Sequence, residues 1–255
     1  MKLKVLGSSS DGNGYILEGD NEALLLEAGV SFRKTRRLVN LDKVVGLLVT
    51  HRHGDHAKHI KDYVACGIPC VAPQSVWDAK RLYSANTYSC PAYYEPFQLG
   101  GFTIRTIHAN HDVPTVGYII SHEELGNLLF LTDSRDMTDE EGQPIVINGL
   151  NHVMIECNYS FMHLEEAIRE GRTKLFQKER IMNTHMEVET CINSIRSCGL
   201  ENVSEIVLLH LSSNNAKEDY CKGEVVRATG RDVYVAKEGI EIELINENRN
   251  GNAAC

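Results

Sequence analysis

The sequence predicts an α/β fold built as one domain, in which two facing mixed sheets carry helices on their outer sides. Three observations predict it. Apolar runs of strand length, among them 44-VVGLLV-49, 128-LLFLTD-133 and 206-IVLLHLS-212, recur along the chain. Segments with helical spacing, such as 188-VETCINSIRSCG-199, lie between them. Polar and ionisable residues stand where the apolar runs stop, the place where a rigid strand can mount reactive groups.

The elements follow in order. Residues 2–6 read as a strand ending in the small-residue turn 7-GSSSDGNG-14, and 15–20 and 23–29 as two more strands. A helix carrying 32-FRKTRR-37 is expected up to about Leu41, then the buried strand 44–50 with its β-branched residues. The next helix covers 56-HAKHIKDYVACG-67, followed by a short strand at 68–73 and a helix at 74–84. The stretch 85-ANTYSCPAYYEPF-97, with two prolines, reads as a loop whose Tyr88, Tyr93 and Tyr94 plug the domain, the alternative being that they stack on bases. Strands are expected at 102–109, 116–121, 127–133, 152–158 and 205–212, helices through the charged segment before 181 and at 188–199, and a hairpin at 233–244. The domain spans 1–245, and 246-NENRNGNAAC-255 reads as a loose tail.

With 42 % apolar and 24 % charged residues in 255, the balance is that of an ordinary globular protein with one substantial core. A net charge of -9 argues against a surface that grips nucleic acid everywhere, which leaves the four cations of 32-FRKTRR-37 as a solvated turn or, second, a local phosphate-facing patch. The eight cysteines form no CxxC pair and read as thiols in a reducing compartment. No membrane-length apolar run occurs and the start is too short and polar for a signal sequence, so a cytoplasmic location is expected.

The chemistry concentrates in 50-THRHGDH-56. Three imidazoles and a carboxylate at the end of a buried strand would repel or desolvate one another without a cation to hold. His51 and His53 can face one metal, and Asp55 and His56 a second. Further ligands must come from other strand ends. Asp133 closes 128-LLFLTD-133, His210 sits inside 206-IVLLHLS-212, and His185 follows the apolar pair 181-IM-182. His111 competes with His108 three residues earlier, and composition does not choose between them.

The loop 51-HRHGDH-56, with Asp133 and His210 in chain order, resembles the HxHxDH signature of the metallo-β-lactamase superfamily. Its blocks 111-HDVPTVGY-118, 130-FLTD-133, 155-IECN-158 and 210-HLSSNN-215 are similar to the YycJ-like (WalJ-like) group, described as exonucleases. The resemblance implies a four-layer αββα sandwich. It implies one metal on His51, His53 and His111, a second on Asp55, His56 and His210, and Asp133 bridging them. Zn²⁺ suits such ligands, with Mn²⁺ or Fe²⁺ as alternatives. It also places His185 on phosphate, Glu156 as the carboxylate orienting its polar neighbours, and Glu27 behind a ligand histidine. Three positions depart from the pattern: Tyr159 stands for a histidine, Glu187 for a hydroxyl residue, and Glu27 for an aspartate.

The implied activity is phosphodiester hydrolysis of nucleic acid, DNA favoured and from an end, by a hydroxide held between two metals. Asp55, His185 and Glu156 are the catalytic candidates, with Arg33, Lys34, Arg36, Arg37, His185 and Asn214 at the substrate. A small cyclic or modified nucleotide is the second substrate class, a thioester or lactone the third, and an inactive binding protein the remaining reading. The pattern specifies no membrane partner and no assembly state.

Overall fold

The computed structural model describes residues 1–246, so the tail expected over 246–255 lies, apart from Asn246, outside the described residues. Among the described residues, fourteen strands alternate with eight helices. The strands are β1 Lys2–Gly7, β2 Gly14–Glu18, β3 Ala23–Leu26, β4 Val44–Leu48, β5 Cys70–Ala72, β6 Thr87–Ser89 and β7 Phe97–Leu99. They continue with β8 Phe102–Ala109, β9 Thr115–His122, β10 Gly126–Leu131, β11 His152–Glu156, β12 Glu205–Leu209, β13 Asp232–Val235 and β14 Glu241–Glu243. The helices are α1 Phe32–Thr35, α2 Gly54–Ala57, α3 Ile60–Ala65, α4 Gln74–Lys80, α5 Phe161–Arg169, α6 Leu175–Thr184, α7 Val188–Ser197 and α8 Glu218–Thr229.

Two seven-stranded sheets result, in the orders β14-β1-β2-β3-β4-β5-β6 and β13-β12-β11-β10-β9-β8-β7. Both are mixed. In the first, β1 pairs antiparallel with β2 and β14, while β3, β4, β5 and β6 run parallel. In the second, β10 to β13 are parallel and β7 pairs antiparallel with β8. The parallel strands β11 and β12 are continuous apolar runs because both faces are buried, whereas β8 alternates buried and half-buried positions.

The chain divides into two compact units: 1–107, 118–127 and 237 onward, and 108–117 with 128–236. The first is centred on Leu6, Ile16, Leu25, Leu47, Val49, Tyr63 and Trp77. In the second, β11 and β12 bury Val153, Ile155, Ile206 and Leu208, and α7 buries Val188, Ile192 and Ile195. Ser160 starts α5 by accepting from the His163 N–H, and Gly230 at φ 66° ends α8 in a conformation that favours glycine. No helix among the described residues is long and apolar enough to cross a membrane.

Several expectations need correction. The helix over the basic cluster is only the single turn α1, since the Arg37 and Leu38 N–H groups reach back three residues, to Lys34 and Thr35, instead of four, and a separate 3₁₀ turn follows at Leu41–Lys43. The helix at 56–67 is broken into α2 and α3 because the His59 N–H donates to the Ala28 carbonyl instead of continuing the ladder. The loop at 85–97 contains β6, which pairs with β5. Tyr88 and Tyr94 are 48 % and 51 % exposed, so they do not plug the domain. No hairpin forms at 233–244: β13 joins β12 in one sheet and β14 joins β1 in the other. Helix α8 carries no readable apolar stripe, since only Cys221 and Val225 on it are buried.

Candidate metal centre

In the first unit, 50-THRHGDH-56 leaves β4 and is held by the residue before β2 and the segment after β3. The Asn13 N–H donates to the Asp55 carbonyl (2.7 Å) and the Ala28 N–H to the His56 carbonyl (2.7 Å). Gly29 makes that approach possible: a Cβ there would lie 1.7 Å from the Asp55 carbonyl oxygen. The His51 ring lies 4.7 Å from that of His53 and 4.1 Å from that of His56, centre to centre. Asp55 Oδ2 is 3.4 Å from His56 Nε2. His59 stays outside this group, half-buried with Nδ1 3.8 Å from Asp62.

Behind these rings lies Glu27, 2 % exposed. Its Oε1 is 3.2 Å from His56 Nδ1 and accepts from the Thr50 hydroxyl at 2.6 Å, while Oε2 accepts from the Thr50 N–H at 3.3 Å. The Thr50 hydroxyl is also 2.9 Å from His51 Nδ1. Because its own proton goes to Glu27, the hydroxyl accepts from the His51 ring. Through this hydroxyl Glu27 places the His51 proton on Nδ1 and its lone pair on Nε2, while His56 Nδ1 lies beside the carboxylate without a hydrogen bond to it. Asn13 Nδ2 lies 3.0 Å from His56 Nε2.

In the second unit the ligand-type residues come from separate strand ends. Asp133, Glu156, His185 and His210 each place a ligand-type atom within 4.8 Å of the others. Asp133 follows β10, Glu156 ends β11, His210 follows β12 and His185 closes α6. Glu156, fully buried, gathers them: Oε1 accepts from Nδ1 of His185 (2.7 Å) and His210 (3.1 Å), and Oε2 from the N–H groups of Ser134 (2.8 Å) and Met186 (3.2 Å). Burial pushes its carboxyl pKa up, but the charge of His185 and the bonds from His185 and His210 outweigh this and hold it below the usual value. Burial pushes His185 down, and Glu156 more than reverses it, leaving that ring above its ordinary pKa.

His111 joins this set. Its Nδ1 donates to the Thr184 carbonyl at 2.9 Å, and its Nε2 lies 3.8 Å from Asp133 Oδ2 and 3.2 Å from Asp112 Oδ1. His108 instead bonds the Thr138 carbonyl at 2.9 Å. Asn158 donates to the His210 carbonyl at 2.8 Å and Thr132 to Asp133 Oδ1 at 3.0 Å. Glu27, Asp133 and His210 have φ of 64°, 49° and 53°. They are three of five non-glycine residues with positive φ among the described residues. Such strain is kept where a side chain must be aimed.

Thr50, Asn13, Asn158 and the Thr184 carbonyl are the partners that sequence reasoning missed. Thr50 and Asn158 directly adjoin the motif and Glu156 block, which is the signal that was available. The departures from the family pattern also resolve. Glu187 accepts the Glu189 and Phe161 N–H groups and caps α7, and Tyr159 is buried. Of the expected substrate contacts, Arg33, Arg36, Arg37 and Asn214 are exposed. Lys34 is engaged by the Leu6 carbonyl (2.7 Å) and Glu238 (2.6 Å), and the Asn214 carbonyl accepts from Arg172.

Residues 22–211 match the family model of the beta-lactamase superfamily domain. The chain belongs to that family. Its homologues are hydrolases, and this chain is an enzyme of that class. It is similar to exodeoxyribonuclease YycJ of Bacillus anthracis, 25 % identical over 95 % of this chain and 94 % of the relative. Among solved structures it is similar to the metallo-beta-lactamase fold protein YhfI of Bacillus subtilis, with TM-score 0.72, 19 % identity, and 95 % and 99 % of the two chains covered. Zn²⁺-bound PqqB of Methylobacterium extorquens gives TM-score 0.71 and 15 % identity over 96 % and 100 %. The α/β class with two mixed sheets is therefore the metallo-β-lactamase fold expected from the motif. Imidazole nitrogens next to carboxylates, with Nδ1 of His51, His111 and His210 each held by a fixed acceptor, are a donor set that suits divalent metal ions.

Proposed function

We propose that the protein is a two-metal phosphodiesterase that cuts nucleic acid, DNA favoured, from an end. His51, His53 and His111 would hold one ion, Asp55, His56 and His210 the other, and Asp133 both. Zinc suits these donors, with manganese or iron second. The chemistry such ions supply when bound is acidification of water and neutralisation of phosphate charge.

The chain's own residues supply the proton transfers. Asp55, in the middle of the motif, accepts the proton of the attacking water on its carboxylate. His185 gives a proton from Nε2 to the departing oxygen, and Glu156, 2.7 Å from Nδ1, favours the charged ring that can do so. That Glu156–His185 contact carries the reading. A sugar alkoxide leaves poorly without a proton, whereas a thiolate leaves unaided, so a positioned acid favours a phosphodiester over a thioester. The similarity to an exodeoxyribonuclease over nearly the whole chain supports DNA as the polymer.

The test is a panel of end-labelled single- and double-stranded DNA, RNA, cyclic nucleotides and bis-p-nitrophenyl phosphate, with products resolved by length. Loss of DNA from one end in single-nucleotide steps is expected. Turnover of cyclic nucleotides alone, or of esters alone, contradicts the proposal.

A further inference from the structure

The charged stretch 169-REGRTKLFQKER-180 was given no role by the sequence. It holds five cations and two anions in a chain of net charge -9. Its apolar residues point outward: Leu175 is 71 % and Phe176 82 % exposed, on the first turn of α6. Several of its cations are engaged. Lys178 pairs with Glu165 and lies 5.2 Å over the Phe161 ring, Arg172 pairs with Glu170, and Arg180 is 3.7 Å from Asp112. Arg169 and Lys174 are exposed on either side of Gly171. Helix α6 then runs directly into His185. At 1.5 Å and a hundred degrees or so per residue, nine residues put Phe176 about 14 Å along the helix from His185 and about half a turn around it, a reach of a few nucleotides for a strand that crosses the helix.

An outward phenylalanine between cations has the two features that a single nucleic-acid strand uses: an aromatic face for a base and positive charge for its phosphates. A duplex does not fit, because its bases cover one another. A symmetric pairing of two copies through this turn would bring like cations together. We propose that residues 169–176 form a platform for a single strand, with Phe176 stacking on a base and Arg169 and Lys174 contacting phosphates. The strand crosses α6 obliquely toward His185. This rests on the phosphodiesterase reading and adds the form of the substrate to it.

The experiment uses the full chain carrying Phe176→Trp. Trp77, the single native tryptophan, is 2 % exposed, so the added indole reports separately. Titration with phosphorothioate-linked single strands of DNA and of RNA, which resist cleavage, should quench the new emission, and a duplex of the same length should not. Phe176→Ala should weaken single-strand binding about 10-fold, the effect of one lost base stack. Arg169→Glu with Lys174→Glu should lower the salt slope of binding by about 1.4, for two phosphate contacts. An unquenched indole in Phe176→Trp, together with unchanged affinity in Phe176→Ala, overturns the platform. So does equal quenching by duplex, or a dimer that Phe176→Ala dissolves. Quenching without cleavage of any phosphodiester would sink the phosphodiesterase reading alone. Cleavage with an unquenched indole and unchanged affinity in Phe176→Ala would sink the platform alone.

Discussion

Two buried glutamates, one in each compact unit, do the same job with unequal investment. Glu27 accepts from Thr50 twice and lies 3.2 Å from His56, so it reaches His51 only through a hydroxyl. Glu156 accepts directly from two histidines and from two backbone N–H groups that belong to different loops. The first serves a continuous motif that the backbone already shapes. The second assembles residues far apart in sequence, so more of the local order depends on it. Where the chain supplies ligands together, the carboxylate tunes them; where it does not, the carboxylate also gathers them.

The sharpest way to break that comparison is to remove each charge. Glu156→Gln should lower unfolding free energy by about 3 kcal/mol, because a buried hub loses its charge and the new amide NH2 must face either the two imidazole donors or the two backbone N–H groups. Glu27→Gln should lose about 1–2 kcal/mol by the same denaturant titration. Equal or reversed losses would remove the distinction. Gly29→Ala tests whether the motif is shaped by backbone: displacing the Asp55 carbonyl should cost about 1–3 kcal/mol and a large part of the activity. Thr50→Val, which cuts the link between Glu27 and His51, should weaken metal binding about 10-fold with a smaller loss of stability. Calorimetric metal titration would read it, and an unchanged affinity would mean that the hydroxyl does not orient the ring.

The smallest expected effect is on pH dependence in the metal-free chain. His185 is raised, so its share of stability is full below the unfolded value near 6.5 and is lost as pH rises through the folded pKa. Glu156 is lowered, so its share is present above the unfolded value and lost as pH falls through the folded one. Thermal melts should therefore show a stability maximum between these limits, and Glu156→Gln should flatten both flanks. Flanks that survive the substitution would assign them to other groups.

The two units were also unequally legible in the sequence. Three imidazoles within 51-HRHGDH-56 announce a metal loop because little else explains their crowding. Asp133 and His210 were legible because a polar group beside a buried strand demands a partner. His111 was not separable from His108 by composition, since the choice depends on which ring reaches the Thr184 carbonyl and which the Thr138 carbonyl. The strands were readable from their apolar runs, but the partner of a strand was not. The segment 233–244 looks locally like a hairpin and is divided between two sheets by contacts with β12 and β1, which no local pattern encodes. Helix α1 stopped early for a similarly local reason, the Arg37 and Leu38 N–H groups bonding carbonyls three residues back.

Elemental analysis of the purified full chain, beside His51→Ala and His210→Ala, tests the central claim most directly. Two divalent ions per chain are expected in the native protein, about the number a two-metal hydrolase requires, with about one lost in each variant and phosphodiester turnover falling in step. A native protein without bound divalent metal, or variants that keep the native complement, would contradict the account.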